Sequence, residues 1–522
     1  MSNRDIEEAK RYHKATRHSP QSVRQNAHTL DWENRPSLYK VYPDLPLIPL
    51  PRDFPPPGAD TLQAIASTEC EQDNGLTVRE LSRLLFFSAG LTKKKILPGG
   101  EDYHFRAAAC AGALYPIEIY VVSTDIPGLE AGVYHFHPGE FALRRLRSGD
   151  CRPELAGAAG DNQTIAAAPV ALVFSAIFWR SAWKYQARCY RYCFWDCGTI
   201  LANLLAAAAA EPLPCSVEMS FVDSKVNHLL GLDGENEASL CLAPLGRSLE
   251  WATHAVGREV PSLEHRVEPL SAKDVAYAAL RRMHAASSLS ADEETRPWRG
   301  VAARQRSEAK ELPTAPLEPS LEKSAPLGEV ILKRGSTRHF EQNAIRFSQL
   351  STILNSSARG IPADFLEGPE TSLLDLYLIV NAVEGLEAGS YYFSSVEGGL
   401  RRLKTGSFRH EAGYLCLEQP LAADAGAVVF FLSDLDRVLA RFGNRGYRAA
   451  QLEAGIIGGK LYLSAYSVGL GATGLTFYDD EVVEFFSPHA QGKDAIFVVA
   501  LGKSRTSGAS DLARPSIRRM IR

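Results

Sequence analysis

Arg334, Ser336 and Arg338 alternate along Leu332-Lys333-Arg334-Gly335-Ser336-Thr337-Arg338. Alternate side chains of an extended segment project to one side. Two guanidinium groups flanking a hydroxyl then supply the planar, permanently charged donors that a phosphate accepts. The same spacing also fits a solvated basic turn. A second candidate is glycine-rich, Gly469-Leu470-Gly471-Ala472-Thr473-Gly474. Without Cβ atoms, its backbone N–H groups can approach a planar ring closely, although a stretch like this also ends an ordinary helix. Lys503 and Arg505 follow the last apolar run, where they either bind an anion or simply close a strand. Lys184-Tyr185 sets an amine beside a phenol, a base next to a proton relay, or a surface lysine next to a packing tyrosine. Cys189, Cys193 and Cys197 recur every four residues, on a helical stripe about 12 Å long. That is too long for three ligands of one ion, so they read as apolar packing.

The elements that must position these residues belong to a chain of 522 residues, too long for a single core. Hydrophobic residues make up 45% and charged residues 23%, as in globular proteins, and the net charge of −4 shows no strong excess of either sign, which argues against a nucleic-acid-binding role. The polar N-terminus lacks a signal-peptide core. The longest apolar run, Cys197 to Ala210, falls short of the roughly 20 residues a membrane span needs. These features predict a cytoplasmic protein with no membrane contact. Nine scattered cysteines show no disulfide framework.

A repeat organises the chain. Residues 128–136 read GLEAGVYHF and residues 385–393 read GLEAGSYYF. The same shift of 257 positions carries Tyr120 onto Tyr377, Arg188 onto Arg445, Tyr190-Arg191 onto Tyr447-Arg448 and Gly198 onto Gly455. After the loss of one residue, Phe221-x-Asp223 matches Phe477-x-Asp479 and Leu245-Gly246 matches Leu501-Gly502. A duplication explains matches held in register so long. The predicted organisation is an N-terminal extended arm (1–60) with a proline-rich run, copy 1 (61–252), a linker (253–325) and copy 2 (326–522). Each copy is predicted to hold a short helix, a strand leading into a hairpin at GLEAG, a second strand, a long helix and a last strand. That mixture implies an α+β layered domain.

The motifs then resemble a known family. Arg334-Gly-Ser336-Thr-Arg338-His-Phe340 is similar to the element that opens nitroreductase domains. Ala109-Cys110-Ala111-Gly112-Ala113-Leu114-Tyr115-Pro116 resembles the P-S-A-G-A-L-Y-P element of SagB-type dehydrogenases, departing at the first two positions, where Ala and Cys replace Pro and Ser. Lys184-Tyr185-x-x-Arg188-x-Tyr190-Arg191 resembles the K-Y-G-x-R-x-Y-R segment of the azoline-oxidising members. The resemblance covers both copies. It implies an α+β fold, FMN as cofactor, and flavin sites built from both halves of a dimer, here an intramolecular pseudo-dimer. It assigns the flavin phosphate to Arg334, Ser336, Arg338, Lys503 and Arg505. It places Gly471, Ala472, Thr473 and Gly474 beside the flavin ring and its N5 edge, with Cys110, Ala111, Gly112, Tyr115 and Pro116 completing the site. Lys184 and Tyr185 become the catalytic pair.

The two copies have lost different parts. Arg441-Phe442 replaces Lys184-Tyr185 in copy 2, which also lacks the G-A-L-Y-P element. Copy 1 has Ile65 to Glu69 where copy 2 has Arg334 to Arg338, and Glu69 repels a phosphate. One complete site per chain is therefore expected, and the opposite site is expected to be empty. The leading function is an FMN-dependent oxidoreductase acting on azoline or related amide-bearing substrates, small-molecule or peptide-derived, with room for a biosynthetic partner enzyme. Two alternatives stay open: an NAD(P)H-dependent nitroreductase or quinone reductase, and a non-catalytic peptide-binding scaffold.

Overall fold

Residues 2–505 of the computed structural model are described here, apart from 69, 71, 72, 74, 97–101, 248–259, 300–312, 322, 369 and 370. Glu69 therefore lies outside the described residues. Each copy is built on an antiparallel sheet with the same central order of five strands. In copy 1 the order is Ala142–Ser148, Gly132–His137, Ile117–Ser123, Val170–Ile177, Glu237–Leu245. In copy 2 it is Gly399–Thr405, Gly389–Ser394, Asp375–Val380, Ala427–Ser433, Asp494–Gly502. The strand pair flanking GLEAG is antiparallel in both copies, Ser123 opposite Gly132 and Val380 opposite Gly389. The outer edge of each sheet is covered by a short proline-containing strand, Ile48–Pro49 in copy 1 and Thr314–Pro316 in copy 2. Proline there cannot extend the ladder, so the edge is closed.

The long helices Cys189–Ala210 and Arg445–Ser467 are buried along nearly their whole length and pack on each other between the two sheets. They are buried on every side, and the charged residues they carry are buried with them. By length and composition the segment Phe178–Ala210 is long enough to cross a bilayer, contrary to the sequence reading. In the fold 89% of its apolar window is buried, which makes it a core element. The helices cross at Gly198 and Gly455. A Cβ on Gly198 would lie 2.6 Å from the Gly455 backbone, and one on Gly455 would lie 2.6 Å from Trp195 O. Only glycine permits that approach.

Beside the crossing, each copy's arginines reach the other copy's aspartate. Arg188 and Arg191 contact Asp479 at 2.9 and 2.6 Å, and Arg445 and Arg448 contact Asp223 at 2.6 and 2.7 Å. All six side chains are buried. Burial alone would raise the Asp479 carboxyl, but Arg188 and Arg191 outweigh it and hold it below the usual carboxylate range. Asp223 is held down in the same way by Arg445 and Arg448.

One segment differs from expectation. The arm is not extended throughout, because it contains the helices Glu7–Ala15 and Pro20–Gln25. Ala9 and Tyr12 of the first are buried on one face. Tyr12 lies edge-on to Tyr190 at 5.7 Å and to its repeat partner Tyr447 at 5.8 Å, on the local two-fold axis. The linker is helical in part. Its helices Ala278–Ala286 and Asp292–Trp298 bury Met283, Ala286 and Trp298 against the body.

The crossed ion pairs give a stability test. Asp479→Ala leaves Arg188 and Arg191 buried without their counter-charge and lowers the unfolding free energy by roughly 3–5 kcal/mol. Lys225→Ala, which removes an exposed pair with Asp292, costs at most about 1 kcal/mol. Equilibrium urea unfolding of both variants measures the difference, and equal losses would refute the role given to the crossing.

Candidate active site

One cavity of about 560 Å³ lies where the copies meet. Copy 1 contributes Cys110, Ala111, Gly112, Lys184, Tyr185 and Asp196, and copy 2 contributes Ser336, Arg338, Gln419, Tyr462, Gly474 and Thr476. Lys184 and Tyr185 end the helix Phe178–Tyr185, so they enter the cavity side by side. The Lys184 ammonium sits 5.4 Å from the Tyr185 ring centre. Burial, and then the charge of Arg338, lowers the Lys184 pKa below the ordinary lysine value. Burial raises Tyr185 well above the usual phenol value, helped by Tyr192 and Asp196, so its hydroxyl keeps its proton. Tyr185 packs on Tyr192 at 4.3 Å, Tyr192 on Trp195 at 4.7 Å, and Trp195 on Phe497 of copy 2 at 5.0 Å. An aromatic floor thus crosses the boundary between copies.

The turn opposite this pair is strained. Gly112, Ala113 and Tyr115 have φ of 64°, 52° and 49°, values that cost non-glycine residues about 1 kcal/mol or more. A Cβ on Gly112 would lie 2.8 Å from the Tyr185 hydroxyl and 3.4 Å from the Lys184 ammonium. The residues after it anchor the turn from behind the cavity. The Tyr115 hydroxyl donates to His104 O and accepts from the Arg106 N–H, and Pro116 O accepts from Ile177 N–H.

The basic element of copy 2 only partly matches the sequence reading. Ser336 and Arg338 line the cavity, and among the described residues no carboxylate pairs with Arg338. Arg334 does not line it. Its guanidinium donates to Ala107 O at 2.9 Å and Arg106 O at 3.0 Å, across the copy boundary. The alternation argument fails at Arg334 because the helix Leu327–Lys333 ends there and resets the direction of its side chain. Gly471–Gly474 is not a loop but an edge strand paired with the last strand of the sheet, Gly471 opposite Gly502. Gly474 lines the cavity, with its N–H donating to the Tyr462 hydroxyl at 2.6 Å. Ala472 and Thr473 are buried in the strand, and Gly471 packs on Thr337. Lys503 and Arg505 lie outside the cavity lining. They flank Ser504, which bonds Thr337 at 3.1 Å, so the residues just after the last strand run beside the Ser336–Arg338 segment.

Sequence reasoning missed Asp196. Its carboxyl lines the cavity and accepts from Ala111 N–H at 2.8 Å and from the Cys110 thiol at 3.1 Å. It also missed Gln419, which follows two left-handed residues, Leu417 and Glu418, and donates to Thr476 at 3.3 Å. A lone acid in the apolar run Tyr192 to Ala210 was the available signal for Asp196.

The equivalent place across the two-fold is filled by the linker. Arg441 and Phe442 stand where copy 1 has Lys184 and Tyr185. Arg441 donates to Pro297 O and Arg299 O, and the Trp298 ring packs on Phe442 at 5.2 Å. The Trp298 indole N–H donates to Phe442 O at 2.9 Å, and Trp298 is fully buried. Glu218 stands where copy 2 has Gly474 and accepts from Asn162 at 2.8 Å. The expected empty site is thus plugged by a tryptophan and lined by an acid.

A sheet flanked by helices in each copy, paired around shared helices and one composite cavity, defines a two-domain α+β protein whose site is shared between its halves. A profile of the Nitroreductase family matches residues 77–247 and 331–503, more than half of the chain, and the chain belongs to that family. A protein of Methanocaldococcus jannaschii assigned to the nitroreductases is 33% identical over 175 residues, covering 34% of this chain and 83% of that one. The microcin B17-processing protein McbC of Escherichia coli is 30% identical over 180 residues, covering 33% of this chain and 63% of McbC. The crystal structure of an Anabaena variabilis protein, also assigned to the nitroreductases, superposes with a TM-score of 0.77 at 27% identity. It covers 95% of this chain and 99% of that one, so the tandem architecture is shared along its full length.

The turn at Gly112 is directly testable. Gly112→Ala brings a methyl against the Tyr185 hydroxyl in a left-handed conformation. Gly385→Ala has a comparable φ of 81° but open space around it. Both lose about 1 kcal/mol for the backbone, and Gly112→Ala loses more. Thermal unfolding of the two variants checks the order, and a smaller loss at Gly112 would contradict the close approach.

Proposed function

We propose that the chain is an FMN-dependent dehydrogenase or oxidase of the SagB type, with one flavin site per chain, acting on an azoline ring or a related amide-bearing group. The observation that carries this reading is the composite cavity, in which Lys184 and Tyr185 of copy 1 face Ser336 and Arg338 of copy 2. The donor set fits the cofactor. Arg338 has no carboxylate partner among the described residues, and Ser336 adds a hydroxyl beside it, as a phosphate requires. Lys503 and Arg505 add positive charge along the neighbouring segment. Gly112 and Gly474 leave backbone, rather than side chain, facing the space a planar ring would take.

When bound, FMN supplies a two-electron acceptor for a hydride from substrate carbon. Lys184 takes the accompanying proton, because its lowered pKa leaves more free amine near neutrality than an ordinary lysine has. Tyr185 keeps its proton and donates a hydrogen bond to substrate or relays that proton. The aromatic floor from Tyr185 to Phe497 limits the water that would compete for it. A reductase that only passes hydride in and out needs no such base, which favours this reading over a nicotinamide-dependent nitroreductase. McbC, a processing protein for a microcin, favours a peptide-derived substrate.

The purified chain is expected to be yellow, to release FMN, and to hold one flavin per chain by absorbance against amino-acid analysis. A ratio near two would refute the single site, and FAD or no flavin would refute the cofactor. Arg338→Glu, an exposed change away from the core, removes the flavin. Lys184→Ala and Tyr185→Phe keep the flavin but lower turnover by about 100-fold or more. With Lys184 as base, turnover rises with pH through a value below that of free lysine. That limb disappears in Lys184→Ala, and a limb that persists unchanged would rule Lys184 out.

A further inference from the structure

Asp196 ties together the parts of the composite site that come from copy 1. It lies on the long helix Cys189–Ala210, and its two oxygens hold the backbone of Ala111 and the thiol of Cys110. The next residue of that turn is Gly112, which abuts the Tyr185 hydroxyl. One carboxyl therefore couples helix to turn, and the turn couples to the reactive pair.

Copy 2 shows the same latch in another form. Glu453 occupies the matching helix position and accepts from the Ser372 hydroxyl at 2.7 Å and the Leu373 N–H at 2.9 Å. There the carboxylate arm is longer and its side-chain donor is a hydroxyl. At the open site the arm is one methylene shorter and the donor is a thiol, which donates weakly. The weaker latch is thus found at the cavity and the stronger one at the plugged place.

We propose that Asp196 is a positioning residue of the Lys184–Tyr185 site: as a carboxylate it holds the Cys110–Gly112 turn against the Tyr185 hydroxyl, and taking up a proton loosens that hold, so that flavin binding at the turn follows its charge. This rests on the flavin reading above. The proton goes to the oxygen that accepts from the thiol, which loses that bond, while the amide keeps only a neutral acceptor.

The groups around Asp196 allow the titration. The turn presents the Cys110 thiol, with Tyr115 and the Arg106 guanidinium behind it. The helix Phe178–Tyr185 presents Lys184 and Tyr185, and copy 2 presents Arg338 and Tyr462 across the cavity. Tyr192, Cys193 and Cys197 lie along its own helix. Among the described residues no cation pairs with Asp196. Burial raises its carboxyl to about 7, with the Ala111 N–H and the Cys110 thiol acting in the opposite direction.

The test measures flavin affinity of the full-length apoprotein between pH 5.5 and 8.5 by quenching of flavin fluorescence, with these limits set about one and a half units either side of the carboxyl's pKa. The FMN phosphate itself titrates near pH 6, so riboflavin, which has no phosphate, is the second probe. In the wild type, affinity for both probes falls several-fold on acidification through the Asp196 pKa. Asp196→Asn flattens the riboflavin profile, and Asp196→Glu restores a step. A riboflavin step that survives in Asp196→Asn, or a loss equal at every pH, would overturn the proposal. A flavin-free readout is the rate at which iodoacetamide alkylates Cys110, followed by mass spectrometry of its peptide. A neighbouring carboxylate disfavours the thiolate, so Asp196→Asn speeds alkylation several-fold, and an unchanged rate would also overturn the proposal. If the wild type binds neither flavin, the cofactor reading fails while the alkylation rates still decide the role of Asp196.

Discussion

Burying a guanidinium without a counter-ion is so costly that the four arginines at the helix crossing dictate how the two copies meet. Arg188 and Arg191 find their acid on copy 2, and Arg445 and Arg448 find theirs on copy 1. Neither copy satisfies its own charges, so neither is complete alone. The arrangement also fixes register. Asp479 begins the helix Asp479–Phe486 and Asp223 begins the helix Asp223–Leu230, so each ion pair pins a helix start of one copy to a long helix of the other. The glycine contact at Gly198 and Gly455 sets the separation, and the ion pairs set the angle and direction.

That frame is symmetric, and the site built on it is not. The composite cavity needs the end of the helix Phe178–Tyr185 from one copy and the segment around Arg338 from the other, and only a fixed crossing brings them together. Arg334 reinforces this by reaching carbonyls of copy 1 just before the Cys110 turn. An arginine that the sequence suggests for an anion instead aligns the strand end that leads into the cavity.

Much of the fold was legible because the chain states it twice. The short helix, the strand leading into the hairpin at GLEAG, the second strand, the long helix and the last strand recur in that order in both copies. Repeat matches such as Arg188 with Arg445 and Asp223 with Asp479 pointed to positions under common constraint. Their pairing was hidden, since a linear repeat does not show that each arginine bonds the other copy's aspartate. The helix Glu7–Ala15 was missed because the proline-rich run downstream dominated the reading of the arm, although Ile6, Ala9 and Tyr12 recur at helical spacing. Asp196 was missed because its importance lies in what it touches. Trp298 was beyond reach: a single tryptophan in an aperiodic linker gives no sign of the hole it fills.

Covalent linkage explains how the asymmetry can exist. In a two-fold symmetric dimer of identical chains every substitution appears at both sites. Replacing a lysine–tyrosine pair by arginine and phenylalanine would disable both, and a tryptophan plug would close both. Once the halves share one chain, each position changes alone. The linker is present only once, leaving copy 1 and entering copy 2, so it passes one of the two equivalent places and not the other. There it buries Trp298 against Phe442 and Phe365, and the abandoned cavity becomes core. The apolar burial gained at that place adds to the stability of the whole crossing, while the cavity across the two-fold keeps the strained turn at Gly112 and Arg338, which has no carboxylate partner among the described residues. Strain at one site is tolerated because the other site has become part of the frame.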